Sequence, residues 1–345
     1  MIWLGIETSC DETAAAVVEN GRIVHSHIVR SQIPFHQAWG GVVPEMAARR
    51  HLEWLPEIVT AARTQSGCSW DTIEGVCATQ GPGLATALLV GFQAAKALAC
   101  RLDVPFAAIH HLEGHLVSPF LTPDRPTFAD HCPLTALIVS GGHTMLVKVA
   151  RPGHYQVVGT TLDDAAGEAF DKGAKLLGLP YPGGPALEKA AQRGNPTAVR
   201  FPRACIANRP TCFSFSGLKT ALLYHLRRHP EALSSPAVRA DIAASYQEAI
   251  VEVLVTRTME VADPHRPLAV VGGVSLNGRL RERMAEACAE RGIPLLLAEP
   301  AYCGDNAAMI AAAAGLGLGR HGNDALNADC DPQLPLPLPL PTAAL

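Results

Sequence analysis

The chain has 345 residues, of which 48% are hydrophobic and 17% charged, and its net charge is −4. That supplies apolar material for one large domain or two of ordinary size and excludes a disordered chain. The acidic balance excludes a broadly basic nucleic-acid coat, while leaving room for a local basic patch.

The apolar run Met1–Ile6 stops at Glu7 with no basic start and no long apolar core, so no secretory signal is expected. Ile2–Ile6 reads as a strand, the polar stretch 7–13 as a turn and Ala14–Val18 as a second strand. The signal Glu19-Asn20-Gly21-Arg22 then turns the chain into a third strand, Ile23–Val29. Pro44–Gln65 has helical spacing, with Ala48, Leu52, Leu55, Ile58, Val59 and Ala62 as its expected buried face. Gly81-Pro82-Gly83 opens a second helix, Leu84–Leu102.

Leu134–Val139, the turn Ser140–Thr144 and Met145–Val149 repeat the opening strand–turn–strand pattern about 130 residues later. The repeat predicts two similar domains facing each other. Val238–Val261 is a helix carrying Ile242, Tyr246, Ile250, Val253 and Leu254 on one face. Strand Leu268–Val271 runs into Gly272-Gly273-Val274 and a helix from about Asn277 to Arg291, and Asn306–Leu318 is a last Ala-rich helix. Strands alternating with helices predict an α/β protein. Pro332–Pro341 alternates Pro with Leu and reads as an extended appendage without a catalytic role.

Ten cysteines without a C-x-x-C pair read as reduced, mostly buried thiols, and no Cys-rich zinc site is expected. The longest uncharged stretch near the end, Asn306–Gly319, is too short to span a bilayer, so a soluble cytoplasmic protein without membrane contact is the expectation.

The sharpest chemical signal is His110-His111-Leu112-Glu113-Gly114-His115. On a helix, His111 and His115 project from one face a turn apart and can grip one metal ion, although such pairs also occur as plain core or surface histidines. A metalloprotease of the H-E-x-x-H type needs its Glu directly after the first His, where Leu112 stands; the inverted order fails at Gly114. A third ligand has to come from elsewhere in the chain. Asp305 is placed for it, and a helix N-cap or first-turn acid is its plain alternative. Two His and one Asp leave positions open for a substrate oxygen and suit Fe(II) or Zn(II).

Ser140-Gly141-Gly142 exposes backbone N–H groups that can bind phosphate or carboxylate oxygens, or can be a simple turn. Gly272–Asn277 follows a strand and opens a helix, but neither the dinucleotide fingerprint nor a Walker A motif is present. The acidic loop Asp163–Lys172 includes Asp171, which can accept from a ribose hydroxyl, and Tyr181–Pro185 is a rigid turn suited to close backbone approach. Basic residues cluster at Arg49/Arg50, Arg200/Arg203/Arg209, Lys219, Arg227/Arg228 and Arg279/Arg281/Arg283. Most such runs are solvated faces, and any beside a cleft can position phosphates.

Together, Gly5–Thr13, Gln80–Leu84, His110–His115, Val139–Thr144, Asp163–Lys172, Tyr181–Pro185, Phe213–Thr220, Gly272–Asn277 and Asp305–Ala311 resemble the TsaD/Gcp (YgjD, Kae) family, in family order. These are tRNA N6-adenosine threonylcarbamoyltransferases of the ASKHA (actin/Hsp70/sugar-kinase-like) superfamily. Gly304 and Gly173 stand where relatives carry Thr, and the Pro/Leu tail is extra.

The resemblance implies two ASKHA lobes around a nucleotide-binding cleft. Lobe I would be residues 1–130 with about 303–325, lobe II residues 131–302, and 326–345 an extended tail. It implies one divalent metal per subunit, Fe(2+) ahead of Zn(2+), on His111, His115 and Asp305. The adenylate substrate would be held by Ile138, Val139, Ser140, Gly141, Gly142, Asp171, Gly184 and Asn277. The implied reaction moves threonylcarbamoyl from threonylcarbamoyl-AMP to N6 of the adenosine 3′ of the anticodon, in tRNAs reading ANN codons. Asp11, Glu12 and His143 are candidates for the proton transfer. Implied partners are tRNA, a TsaB-like paralogue and a TsaE-like ATPase. The rival readings are a metalloprotease and a non-catalytic nucleotide-binding ASKHA module.

Overall fold

The computed structural model describes residues 1–122, 126–203 and 211–336. Arg209 and the Pro/Leu run beyond Leu336 fall outside them. The chain opens with strands β1 (Ile2–Glu7), β2 (Glu12–Glu19) and β3 (Ile23–Ser31). A short helix α1 (Ile33–His36) leads to α2 (Pro44–Gln65), then β4 (Gly75–Gly81), α3 (Ala85–Leu102), β5 (Phe106–His110) and α4 (His111–Val117). The same grammar restarts with β6 (Leu134–Val139), β7 (Thr144–Arg151) and β8 (His154–Thr160). Helices α5 (Ala166–Leu176), α6 (Gly183–Ala191), α7 (Ser216–Arg228) and α8 (Pro236–Val261) follow, then β9 (Leu268–Val271), α9 (Gly278–Arg291) and β10 (Leu295–Leu297). The described chain closes with α10 (Ala307–Gly315), β11 (Arg320–His321) and α11 (Gly322–Leu326).

The strands form two sheets, ordered β11-β5-β4-β1-β2-β3 and β10-β9-β6-β7-β8. In each, an antiparallel three-strand meander is extended by parallel strands: β1 pairs with β4 as β6 pairs with β9. The repeated pattern in the sequence is thus a repeated sheet topology. Parallel strands need both faces covered, and β4 and β5 are buried along their whole length.

Helix α10 places one wall of the site. Ala307 to Ala314 are all buried, and the helix packs on β1, β2 and α4. Small residues permit this closeness. A Cβ at Gly5 on β1 would stand 2.6 Å from Ala307 O, and one at Gly114 on α4 would stand 2.9 Å from Met309 Cγ and Ile310 Cδ1. Glycines at both contacts let α10 lie against strand and helix together.

Three expectations are corrected. The buried face of α2 is Ala47, His51, Trp54, Leu55, Ile58, Val59 and Ala62, while Leu52 is 69% exposed. The face is turned because His51 is a satisfied core histidine, a polar residue on the apolar stripe. Only Cys77, Cys288 and Cys303 are buried among the nine described free cysteines. The tail is docked where described: Asp331 N donates to Gln80 O (2.9 Å), Gly83 N to Pro332 O (3.2 Å), and His110 Nε2 bonds Leu334 O (3.1 Å).

Among the described residues one helix, α3, is long and apolar enough to cross a membrane. Its buried stripe, Ala87, Leu88, Gly91, Phe92, Ala95 and Ala99, packs on β4 and α2 instead.

Candidate metal and nucleotide site

A cavity of about 570 Å³ opens between the two sheets. The β1–β2 turn (Ser9–Glu12), Pro82–Leu84, His111 and Gly304-Asp305 line one side. Ser140–His143, Gly167, Phe170, Asp171, Tyr181, Pro182, Gly184 and Gly273–Asn277 line the other.

The metal corner is built from α4 and the start of α10. His110 caps α4, its ring accepting from Leu112 N at 3.1 Å. The helix then sets His111 and His115 on one face, their rings 4.7 Å apart. Asp305 meets them: its Oδ1 is 3.4 Å from His111 Nε2 and 3.3 Å from His115 Nε2. The cap of α10 is Asn306, whose side chain accepts from Met309 N at 2.9 Å. Asp305 is therefore not the N-cap, and its carboxylate is spared for the two imidazoles.

These residues fit a cation. His115 is fully buried, its Nδ1 has no hydrogen-bond partner among the described residues, and its Nε2 meets only the Asp305 carboxylate at 3.3 Å. An unpaired buried polar atom costs about 1–3 kcal/mol, so a buried ring left this way needs a ligand. One ligand atom from each of His111, His115 and Asp305 lies within 4.8 Å of the others.

Glu7, which the sequence reading missed, completes the corner. It is fully buried on β1, and its Oε2 accepts from Thr79 Oγ1 and from His111 Nδ1, the latter at 3.1 Å. That bond leaves His111 Nε2 facing Asp305, as a carboxylate behind a ligating His does. Burial works against charge on His111, but Asp305 and Glu7 outweigh it and push the imidazole up to about 10. Burial likewise opposes charge on Asp305, and the two imidazoles overcome it, holding the carboxyl well below its ordinary range. His115 has no such surplus of anions, and burial lowers it.

The opposite wall centres on a backbone turn. Ser140 N donates to His143 O (2.8 Å) and His143 N to Ser140 Oγ (3.2 Å), closing a tight turn. A Cβ on Gly141, Gly142, Gly184 or Gly273 would meet nothing within 4 Å, so these glycines face open space. At Gly167 a Cβ would stand 2.6 Å from Ser140 O, which fixes α5 against the turn. Asp171 Oδ1 accepts from Gly183 N at 2.7 Å, anchoring the start of α6; burial raises its carboxyl despite that bond. Asn277 caps α9, accepting from Leu280 N (3.0 Å) and donating to Gln247 Oε1 (2.9 Å).

Of the expected substrate residues, Ser140, Gly141, Gly142, Asp171, Gly184 and Asn277 reach the cavity. Ile138 and Val139 are core residues of β6 that carry the turn without lining the cavity. Asp11, Glu12 and His143 all line it. Burial, then repulsion from Asp11 and Asp305, raises the Glu12 carboxyl well above its ordinary value. Burial and the nearby His111 charge push His143 down to about 4. Glu113 turns away to a buried place beside Tyr155, and burial pushes it up to about 7.

The acidic segment read as a loop is mostly helix, since α5 begins at Ala166. Glu168 three residues past Ala165 was the available signal, and its carboxylate accepts from Ala165 N at 3.0 Å. His51 was missed as a support: its Nε2 bonds Cys10 O (2.9 Å) and its Nδ1 meets Thr13 Oγ1 (2.8 Å), pinning the β1–β2 turn to α2. The basic runs are largely ion-paired: Arg50 with Glu53, Arg203 with Glu252, and Arg279 and Arg283 both with Glu248.

Solved structures share this arrangement over most of the chain. The activator of the 2-hydroxyisocaproyl-CoA dehydratase from Clostridium difficile, with bound ADPNP, is 15% identical with a TM-score of 0.52, covering 92% of this chain and 95% of that one. HypF from T. kodakarensis is 15% identical with a TM-score of 0.55, covering 92% of this chain and 47% of that one. The likeness is one of fold, and with the doubled sheet it makes this an α/β protein of two similar halves about a cavity.

The sequence narrows the class further. The TsaD family model, tRNA N6-adenosine threonylcarbamoyltransferase, matches residues 23–312. The protein of that name from Pelobacter propionicus is 50% identical over 314 residues, 90% of each chain. Its namesake from Anaeromyxobacter dehalogenans is 50% identical over 333 residues, 94% of this chain and 97% of the other. This chain belongs to the TsaD family.

Proposed function

We propose that this chain transfers the threonylcarbamoyl group from threonylcarbamoyl-AMP to N6 of the adenosine 3′ of the anticodon, in tRNAs reading ANN codons. The observation that carries the reading is the meeting of His111, His115 and Asp305 at one end of a cavity whose other wall is an open glycine turn. Lobe I comprises residues 1–130 and about 303–325, lobe II residues 131–302, and the donor lies between them.

The donor is a mixed anhydride, so AMP is already a good leaving group, and the protein's task is to hold and orient. The amides of Gly141 and Gly142 donate to donor oxygens, the Ser140 amide being held by His143 O, and the open faces of Gly184 and Gly273 admit the adenylate. His111, His115 and Asp305 hold one divalent ion, Fe(2+) ahead of Zn(2+). When bound, such an ion polarises a carbonyl or neutralises phosphate charge. The N6 nitrogen attacks the carbamoyl carbon, the bond to the AMP oxygen breaks, and N6 sheds a proton that becomes acidic as the new bond forms. Asp11, Glu12 and His143 surround the cavity to receive it, and His143 is neutral at pH 7 with a lone pair to offer.

Glu113, buried beside Tyr155, is not placed as the base of a protease, and a non-catalytic module would not need all three ligands. The chain works in the cytoplasm with a TsaB-like paralogue and a TsaE-like ATPase. Exposed Leu52 and Leu89 on α2 and α3 support an association surface there.

The test is mass spectrometry of tRNA nucleosides after incubation with threonine, bicarbonate, ATP and the partner proteins, with and without this chain. The modified adenosine should form only with the chain present. Equal product without it would contradict the reading.

A further inference from the structure

We propose that Arg281 is a positioning residue that fastens the two walls of the cavity to each other, holding the metal corner and the adenylate wall in register. The inference rests on the reading of the cavity given above. Arg281 lies in the first turns of α9, just past the Asn277 cap. Its Nε donates to Ser275 O at 2.6 Å, inside the Gly272–Asn277 loop. Its Nη2 donates to Ala298 O at 3.3 Å and to Cys303 Sγ at 3.2 Å. Cys303 is buried two residues before Asp305, and its thiol reaches back to Glu299 O at 3.4 Å.

One guanidinium thus grips two loops, one of which carries the chain from the second sheet to the first. The Ser275 loop leaves β9 of the second sheet, and the Ala298–Asp305 segment leaves β10 of that sheet and crosses into α10, which packs on β1 and β2 of the first. A planar fork of fixed donors can serve acceptors in two directions at once, whereas a lysine ammonium on a flexible stem cannot hold that geometry. The neighbouring arginines act differently. Arg279 and Arg283 are four apart on one helix face and share Glu248, while Arg281, two residues from each, turns to the other face. What reads as a basic run is an ion-paired outer couple with an inward brace between them.

The test uses the full chain, with Zn(2+) alone and AMP alone as probes, each titrated calorimetrically. Arg281→Gln should weaken Zn(2+) binding by about tenfold or more, and AMP binding by about three- to tenfold. Arg281→Lys should not rescue either. A merely structural role would lower the melting temperature and leave both affinities within twofold of wild type, which would overturn the proposal. Should Arg281→Gln fail to fold, Cys303→Ala removes the Arg281 contact nearest Asp305, with the thiol's own bonds to Ala298 O and Glu299 O, and leaves the Ser275 contact in place. It should weaken Zn(2+) and spare AMP, and unchanged Zn(2+) affinity would likewise overturn the proposal. A wild-type chain that binds neither probe would overturn the reading of the cavity, and this brace with it.

Discussion

The two walls of the cavity are built on opposite principles. The metal corner is made of buried side chains: His111, His115 and Asp305 converge, and Glu7 stands behind them. The opposite wall centres on a backbone turn, Ser140–His143, whose Gly141 and Gly142 are open to the cavity. A side-chain site fails when one group is removed. A backbone site fails when a group is added. The contrast says which kind of substitution will harm each wall.

The largest effect belongs to the corner. Removing a ligand by Asp305→Ala or His111→Ala should abolish tRNA modification and strip the metal, which elemental analysis of the purified chain checks. The loss should exceed the 10–100-fold typical of removing only a supporting group. Full activity in either variant, with the metal absent, would break the comparison.

Next comes the packing that brings α10 to the corner. Gly5→Ala puts a methyl 2.6 Å from the backbone oxygen of Ala307, which cannot move aside as a side-chain tip can. Overpacking of this kind costs about 1–3 kcal/mol, read as a lower denaturant midpoint, and it should also weaken metal binding by shifting Asp305. Unchanged stability would show that α10 has slack.

The backbone wall is probed by addition. A Cβ at Gly142 meets no neighbour and the residue is exposed, so Gly142→Leu should keep the stability of the fold to within about 0.5 kcal/mol. AMP affinity should nevertheless fall by roughly tenfold, because the side chain fills space meant for the ligand and unseats its hydrogen bonds. Calorimetry with AMP sharpens the comparison if affinity falls while stability holds. The smallest effect lies outside both walls. Lys172→Met removes a half-exposed pair with Asp164 and should cost no more than about 1 kcal/mol, measured by urea unfolding.

How far the sequence was legible follows the same division. The His111/His115 spacing announces itself because four residues make one helical turn, and the glycine turn announces itself by composition. The doubled sheet was visible as two strand–turn–strand patterns, since alternation and turns are local. Contacts across the chain leave no local mark. Glu7 is 104 positions from His111, and nothing near it in sequence shows that partner. His51 looked like a polar interruption of a helix face until Cys10 and Thr13 were seen to satisfy it. Asp305 carried an N-cap signal, but the neighbouring Asn306 took the cap, and only the folded helix decides between adjacent acceptors. Ile138 and Val139 belong to the motif yet serve as core, because a motif read as a string does not separate the strand from the turn it presents.

The central claim is that two imidazoles and one carboxylate grip a single divalent ion at one end of the cavity. Anomalous diffraction from crystals of the iron- or zinc-loaded chain tests it most directly. The account predicts one strong peak between the Nε2 atoms of His111 and His115 and the carboxylate of Asp305. A fully loaded chain whose peak lies elsewhere, with those three side chains turned apart, would contradict it.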